Sequence, residues 1–282
     1  MIRQLAKSVL QSYATRVPYH RGKWRVIESA LRVSGVEEAD RGQTFEVVRD
    51  GVKWRLGTEC RVQRKLYYHG GLDPYDVREL LSPIGSGAVF FDIGSYFGYY
   101  ALLAARRGAR AFAFEPAGAN YQLLAAHQSM NSFERLQTFQ LALSDEVGSV
   151  TFASPVAENR GTGRMLPGEI AGSGTESVAM TTLDAFAAEH GIERLDALKL
   201  DVEGAEVKVL TGGRATLARF RPAMLIELNP PCLARFSTSE EQLLAAVRDL
   251  GYTVWRTTAG GRVKYERLAP GEAYTNILCL PE

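Results

Sequence analysis

The sequence has no run of about 18 apolar residues, so no segment is expected to cross a bilayer as a helix. Its first positions are interrupted by Arg3, Lys7 and Arg16 before a hydrophobic stretch builds, which argues against a signal peptide. Cysteine is scarce. Cys60, Cys232 and Cys279 are far apart and form no CxxC pair, which excludes a disulfide framework and fits reduced thiols in a cytoplasmic protein. The four histidines, His20, His69, His127 and His190, share no metal-ligand spacing, and no metal is expected from them. The net charge is only +1, so no overall basic field argues for a nucleic-acid partner. No internal repeat and no low-complexity tract is present.

What charge there is lies unevenly. Residues 1–35 hold seven Lys or Arg against one acid, Glu28, a surplus of six that leaves the remainder at −5. Such a stretch is either a solvated helical face or a patch for an acidic partner or a membrane surface. The net-acidic remainder disfavours nucleic acid as a substrate.

The first 84 residues read as a small cap of helices and a hairpin. Ile2, Leu5, Val9 and Leu10 recur at helical spacing, as do Val26, Ile27, Ala30 and Leu31, with Pro18 and Gly22 between the two groups. Phe45–Arg49 and Val52–Leu56 flank Asp50-Gly51, a strong hairpin signal.

From Gly85 to residue 282 the rhythm is strand, helix, strand, helix. Strands are expected at Val89–Ile93, Ala111–Phe114, Leu136–Leu143, Ser149–Ala153, Leu195–Val202, Ala223–Leu228, Thr253–Arg256 and Asn276–Leu280. Helices are expected at Tyr99–Arg107, Tyr121–Met130, Leu183–Glu189 (capped by Thr181 or Thr182), Ala205–Phe220 and Ser239–Leu250. Residues 155–177, with five glycines and two prolines, read as a long loop. This alternation predicts an α/β protein with a mostly parallel sheet covered on both faces and one antiparallel strand at its edge.

In such a sheet, ligands bind beyond the carboxyl ends of the strands. Asp92, Gly94, Ser95 and Gly98 stand at the first end, Glu115 and Pro116 at the second, and Leu143, Ser144 and Asp145 at the third. Asp201 and Glu203 stand at the fourth, Glu227 and Asn229 at the fifth. The acids could instead cap the helices that follow. Glu115 lies 21 positions after Gly94, the spacing of an acid that accepts hydrogen bonds from ribose hydroxyls. A dinucleotide turn would want G-x-G-x-x-G, but Tyr96 occupies the second glycine's place. Asp92 would also repel a pyrophosphate and attract an ammonium. The turn therefore fits S-adenosylmethionine, which carries ribose, ammonium and sulfonium but no phosphate. A nicotinamide-dependent oxidoreductase and a non-catalytic protein that keeps the fold are the alternatives.

Asp92-Ile-Gly-Ser-Tyr-Phe-Gly98, Ala113-Phe-Glu-Pro116, Leu141-Ala-Leu-Ser-Asp145 and Leu198-Lys-Leu-Asp-Val-Glu-Gly-Ala-Glu206 together resemble the FkbM-family methyltransferases, in order and spacing, over roughly residues 67–282. The resemblance implies a class I methyltransferase fold (Rossmann-like) with a seven-stranded sheet. It also implies S-adenosylmethionine as methyl donor and a hydroxyl acceptor on a natural product, sugar or glycan. By position, Asp92, Gly94 and Gly98 should line the methionine portion, Glu115 with Pro116 the ribose, and Ala142, Leu143 and Ser144 the adenine. Asp201 and Glu203 should sit beside the transferred methyl. Where the family often has Ala-Asn, this chain has Ser95-Tyr96, so a contact to the methionine end falls to Ser95 or is lost.

An alcohol needs a general base. Asp201 or Glu203 is the first candidate, although Glu203 could cap the next helix; His69 is the second. Asp201, Glu203 and Glu227 could also gather a divalent cation. The acceptor pocket is expected from the cap, residues 67–76 and the 155–177 loop, with Tyr67, Tyr68, Tyr75, Tyr96 and Phe97 either lining it or packed in the core.

Overall fold

The computed structural model describes residues 2–17, 19–20, 22–153, 163–166 and 172–282. They form two compact units, one up to Pro74 and one from Tyr75 onward.

In the first unit, α1 (Ile2–Arg16) and α2 (Lys23–Ser34) are followed by the single turn α3 (Val36–Ala39). Lys23 Nζ donates to Ala14 O and Val17 O, both at 2.6 Å, which ties the start of α2 to the end of α1. The hairpin forms as its turn predicts. Asp50 and Gly51 both take left-handed φ (52° and 73°), the combination that matches the strand twist, and pair β1 (Thr44–Arg49) with β2 (Val52–Gly57). Val52, Trp54 and Leu56 alternate inward against exposed Lys53 and Arg55. The helix α4 (Arg61–His69) completes the unit.

The boundary falls at 74 rather than 84. The helix α5 (Pro74–Leu81) is bound to the second unit: Asp76 accepts from Thr257 and from Asn276, and Arg78 donates to Thr258 O.

The second unit runs in chain order through β3 (Val89–Ile93), α6 (Tyr99–Arg106), β4 (Arg110–Phe114), α7 (Gly118–Asn131), β5 (Leu136–Phe139), β6 (Ala142–Ser144), β7 (Gly148–Ala153), β8 (Arg164–Leu166) and β9 (Thr175–Thr182). It continues through α8 (Leu183–Glu189), β10 (Ala197–Leu200), α9 (Glu206–Gly212), α10 (Arg214–Phe220), β11 (Ala223–Leu228), α11 (Pro230–Leu233), α12 (Glu240–Asp249), β12 (Tyr252–Thr258), β13 (Gly261–Lys264) and β14 (Thr275–Pro281). The main sheet has the order β13-β12-β14-β11-β10-β3-β4-β5. From β11 through β10, β3 and β4 to β5 all pairings are parallel, while β14 is antiparallel to both its neighbours. The resemblance implied seven strands; the sheet has eight, because β13 folds back on β12 as a hairpin. The antiparallel strand β14 lies inside the sheet rather than at its edge.

All five residues of β3 are buried, as a strand covered on both faces requires. Phe91, Phe112, Phe114 and Phe186 interlock on one side of it, Phe114 and Phe186 edge to face at 4.7 Å. Each such ring, fully buried, contributes roughly 1.5–3 kcal/mol. The helix α8 starts at Thr182, whose Oγ1 accepts from Ala185 N, and α12 at Ser239, in a capping box with Gln242.

Three sequence expectations change. The strand expected at 136–143 divides: β5 pairs with β4 in the main sheet, whereas β6 pairs with β9 in a separate sheet of order β6-β9-β7-β8. That second sheet takes β8 and the start of β9 from the stretch read as a loop; residues 155–162 and 167–171 lie outside the described residues. The helix expected at 205–220 breaks at Gly212-Gly213. A Cβ there would come within 2.0 Å of Ser144 O and 2.6 Å of Leu183 Cδ2, so the backbone bends past both. No helix among the described residues is long and apolar enough to cross a membrane, and no disulfide joins the three cysteines among them.

Candidate functional site

Strand order reverses between β3 and β10, so the crevice beyond their carboxyl ends is where this architecture holds a ligand. The β3–α6 turn is set by two glycines. Gly94 has φ +78°, and a Cβ on it would lie 1.7 Å from Asp201 O, so the turns after β3 and β10 touch backbone to backbone. Gly98 has φ +87°, and a Cβ there would meet Leu124 and Leu102 side chains at 2.5 and 2.7 Å. Its absence of side chain serves helix packing. The N–H groups of Gly94 and Ser95 both donate to Phe114 O, which fastens the turn to β4, and Ser95 Oγ reaches the same carbonyl at 3.3 Å.

Asp92 is 2% exposed, and its Oδ2 accepts from Ala101 N in the first turn of α6 at 2.9 Å. The helix-cap role is therefore realised in this residue. Burial pushes its carboxyl up to about 7, against the opposing pull of that hydrogen bond and of Lys199, its register partner on β10.

Glu115 is likewise buried. Its Oε2 accepts from Tyr96 N at 2.8 Å and its Oε1 from Ala117 N at 2.9 Å, with Asn120 Nδ2 at 3.5 Å. Burial raises it to about 8 in spite of those donors. It thus stitches the glycine turn to the end of β4. A carboxylate has about four acceptor positions, so capacity for one further donor is left. Tyr96 is held in this way at φ +52°, an uncommon conformation for a bulky residue, with its ring edge to face on Phe97 at 4.8 Å.

Beyond β10 three carboxylates converge. One oxygen from each of Asp201, Glu203 and Glu227 lies within 4.8 Å of the others. Asp201 N donates to Ile93 O, continuing the ladder one residue past the strand. The chain then turns sharply: Glu203 has φ +56° and Gly204 φ +111°, where a Cβ would lie 2.1 Å from Cys232 O. Glu206, 2% exposed, holds this turn closed, because its Oε1 accepts from Val202 N and Gly204 N at 3.1 and 3.2 Å. The capping role considered for Glu203 is not taken up: the N-cap of α9 is Ala205, without a side-chain cap, and Glu206 holds only the turn before it. Glu203 is released to the cluster, where its Oε2 accepts from Cys232 Sγ at 3.1 Å. Burial, then the charge of Asp201, raises Glu203 to about 7. Glu227 is raised well above the usual range, by burial first and by Asp201 next. Its Oε2 is buried and has no hydrogen-bond partner among the described residues.

Lys199 lies under this cluster, 3% exposed, with Nζ 3.3 Å from Asp201 Oδ2 and 3.4 Å from Asn276 Oδ1. Burial works against its charge, but Asp201, Glu227 and Asp92 outweigh it and hold the amine above its ordinary value. Asn276 in turn donates to Asp76 Oδ2 at 2.8 Å. The row Asp76, Asn276, Lys199, Asp201 was not assembled from the sequence. Its members are up to 200 positions apart, and only the antiparallel insertion of β14 brings Asn276 opposite Glu227. Three hard oxygen donors suit a divalent cation, yet the ammonium of Lys199 already supplies positive charge to them.

The other expected residues fall as follows. Ala142, Leu143 and Ser144 are the buried strand β6, and Ser144 borders a cavity of about 330 Å³ that Thr151, Met165, Ser177, Met180 and Phe236 also line. Asp145 forms an ion pair with Lys208 at 2.8 Å. Pro116 continues the chain from Glu115 and its carbonyl accepts from Gln140 at 3.5 Å. His69 belongs to the first unit, where its Nε2 meets Glu28 Oε1 at 2.8 Å and its ring stands against Trp24. Tyr67, Tyr68, Tyr96 and Phe97 are buried, which favours the packing role for them. His127 is fully buried on Phe97 O and is structural.

The family model described as a methyltransferase FkbM domain matches residues 92–254. Among curated proteins, the 2-O-methyltransferase NoeI of Sinorhizobium fredii is 30% identical over 155 residues, covering 47% of this chain and 60% of the relative; the chain thus spans less than two thirds of that protein. Among solved structures, a methyltransferase FkbM from Methylobacillus flagellatus KT is 15% identical, over 93% of this chain and 71% of the other, with a TM-score of 0.47. A SAM-dependent O-methyltransferase from Thermotoga maritima is 12% identical over 74% of this chain and 63% of the other, with a TM-score of 0.39.

Proposed function

The chain belongs to the FkbM methyltransferase family, and on that premise we propose that it transfers a methyl group from S-adenosylmethionine to a hydroxyl oxygen of a sugar, glycan or other small natural product. The observation that carries this reading is the convergence of Asp201, Glu203 and Glu227 next to the Gly94 turn, at the point where strand order reverses. Family membership favours methyl transfer over hydride transfer. The relative named as a 2-O-methyltransferase supports oxygen as the acceptor atom.

The residues fit the proposed donor. Glu115 retains acceptor capacity for a ribose hydroxyl. Glu227 Oε2, without a hydrogen-bond partner among the described residues, offers a buried acceptor beside Asp201 and Glu203. Acidic groups there suit a cationic ligand without phosphate. S-adenosylmethionine, when bound, supplies an electrophilic methyl on a sulfonium.

The chain has two tasks. The first is alignment of the acceptor oxygen with the methyl carbon, mainly a matter of positioning. The second is removal of the hydroxyl proton. Glu203 is the better base of the two candidates: burial places its carboxyl near neutrality, where a substantial share is ionised and it still accepts a proton readily. Lys199, paired with Asp201, keeps one positive charge in the cluster and opposes the rise of Glu227.

The test is release of S-adenosylhomocysteine with a panel of hydroxylated acceptors, beside calorimetric titration with S-adenosylhomocysteine and with NAD. Turnover together with selective binding of S-adenosylhomocysteine is expected. Binding of NAD alone would sink the reading, and cofactor binding without turnover on any acceptor would favour the non-catalytic alternative.

A further inference from the structure

We propose that the first unit docks on an anionic lipid surface through the outward faces of α1 and α2. The observations belong to that unit alone and do not depend on the assignment of methyl transfer.

On α2, Lys23, Ile27 and Leu31 point inward. At 100° per residue, the opposite arc holds Arg25, Val26, Ser29, Arg32 and Val33, all exposed. Val26 and Val33 are 51% and 89% exposed. Arg25, Val26, Ser29, Ala30 and Val33 form one shallow, open strip of surface rather than a groove. On α1, Leu5 and Val9 are 67% and 59% exposed and share a row with Ser12 and Arg16. Four of the eight most exposed large apolar side chains among the described residues are therefore on these two helices. Scattered single apolar residues need no explanation, but rows of them at helical spacing beside arginines do.

The charge decides the partner. Of the basic residues here, Lys7 is paired with Asp40 and Lys23 is buried on carbonyls. Arg3, Arg16, Arg25 and Arg32 remain exposed. The single acid of the first 35 residues, Glu28, is also exposed and lies 2.8 Å from His69, so the arginines outnumber the acid on these helices by four to one. Apolar side chains interleaved with arginines, on short helices, are the composition of an interfacial element: the apolar groups enter the headgroup boundary and the guanidinium groups meet lipid phosphate. Nucleic acid would use the arginines and leave the valines and Leu5 unexplained. A protein partner would ask for a shaped apolar patch rather than separate protruding side chains.

The experiment is co-sedimentation of the full chain with vesicles of phosphatidylcholine alone and of equimolar phosphatidylcholine and phosphatidylserine, at low and at raised salt. Binding is expected to the anionic vesicles, to weaken with salt, and to drop about 25-fold in Arg25→Gln/Arg32→Gln, from about fivefold for each arginine. Val26→Asp/Val33→Asp should lose binding at unchanged circular dichroism. No binding, equal binding to neutral vesicles, or indifference to both double variants overturns the proposal. So does self-association without vesicles that the valine variant abolishes, because the face then belongs to a second copy of the chain.

Discussion

The thiol of Cys232 donates to Glu203 Oε2 at 3.1 Å, joining the start of α11 to a carboxylate that sits, at left-handed φ, just past the end of β10. Beside that carboxylate the thiol is itself pushed up to about 12, by burial first, and stays protonated as a donor across the working pH range. It favours the ionised form of Glu203. Cys232→Ala should therefore raise the pH at which methyl transfer switches on, from about 7 upward by less than roughly one unit. A pH–rate profile on wild type and variant measures this; an unmoved profile would remove Glu203 from the role of base.

Replacing the base itself should cost chemistry and spare binding. Glu203→Gln is expected to lower kcat by about 10²–10⁴-fold with affinity for S-adenosylhomocysteine kept within a few-fold. The same loss in Asp201→Asn, with Glu203→Gln nearly active, would transfer the role to Asp201.

The backbone contact after β3 leaves no room for a side chain. Gly94→Ala places a methyl where Asp201 O stands, in a left-handed backbone. The expected result is destabilisation of at least about 2 kcal/mol and lost cofactor binding. Thermal unfolding and calorimetry read both; a variant of unchanged Tm would contradict the close approach.

Chelation separates the two uses of the carboxylate cluster. With Lys199 already paired to Asp201, activity is expected to survive EDTA unchanged. Loss in EDTA with recovery in Mg²⁺ would show that Asp201, Glu203 and Glu227 bind a cation instead.

The buried carboxyls also make stability depend on pH. Asp92, Glu203 and Glu206 are raised to about 7 and Glu115 to about 8, each chiefly by burial. Their folded values lie above the unfolded ones, so between roughly pH 4 and 8 the folded chain binds more protons than the unfolded chain. These four groups therefore lower stability as pH rises through that window. The Tm should be lower at pH 8 than at pH 6, and Glu115→Gln should reduce the difference. A Tm that climbs over the same interval would mean that the charged forms are better compensated than their surroundings indicate.

Much of the second unit was legible in the residue order. Val89–Ile93 and Ala223–Leu228 were readable to the residue because continuous apolar runs bounded by turns have few other uses. The Asp50-Gly51 hairpin was readable because few dipeptides accept two left-handed residues in succession. The division between β5 and β6 was not, because nothing in Gln140-Leu141 marks where one sheet gives way to another. Nor was β9, whose pairing partners lie on β6 and β7.

The carboxylate cluster shows the same boundary. Local order determined that acids stand at the strand ends and that Gly94 turns the chain, since each follows from neighbours in sequence; that the stretch from Lys199 to Glu206 is one motif came from the family resemblance. Tertiary structure alone decided which acid does what. Asp92 caps α6, Glu206 closes the turn after β10, and Glu203 is left to the cluster with Glu227. The reason is physical: a carboxylate's role is set by which donors and charges reach it and by how far it is removed from water. Those neighbours, Cys232, Asn276 and Lys199 among them, come from strands that only the folded sheet places side by side.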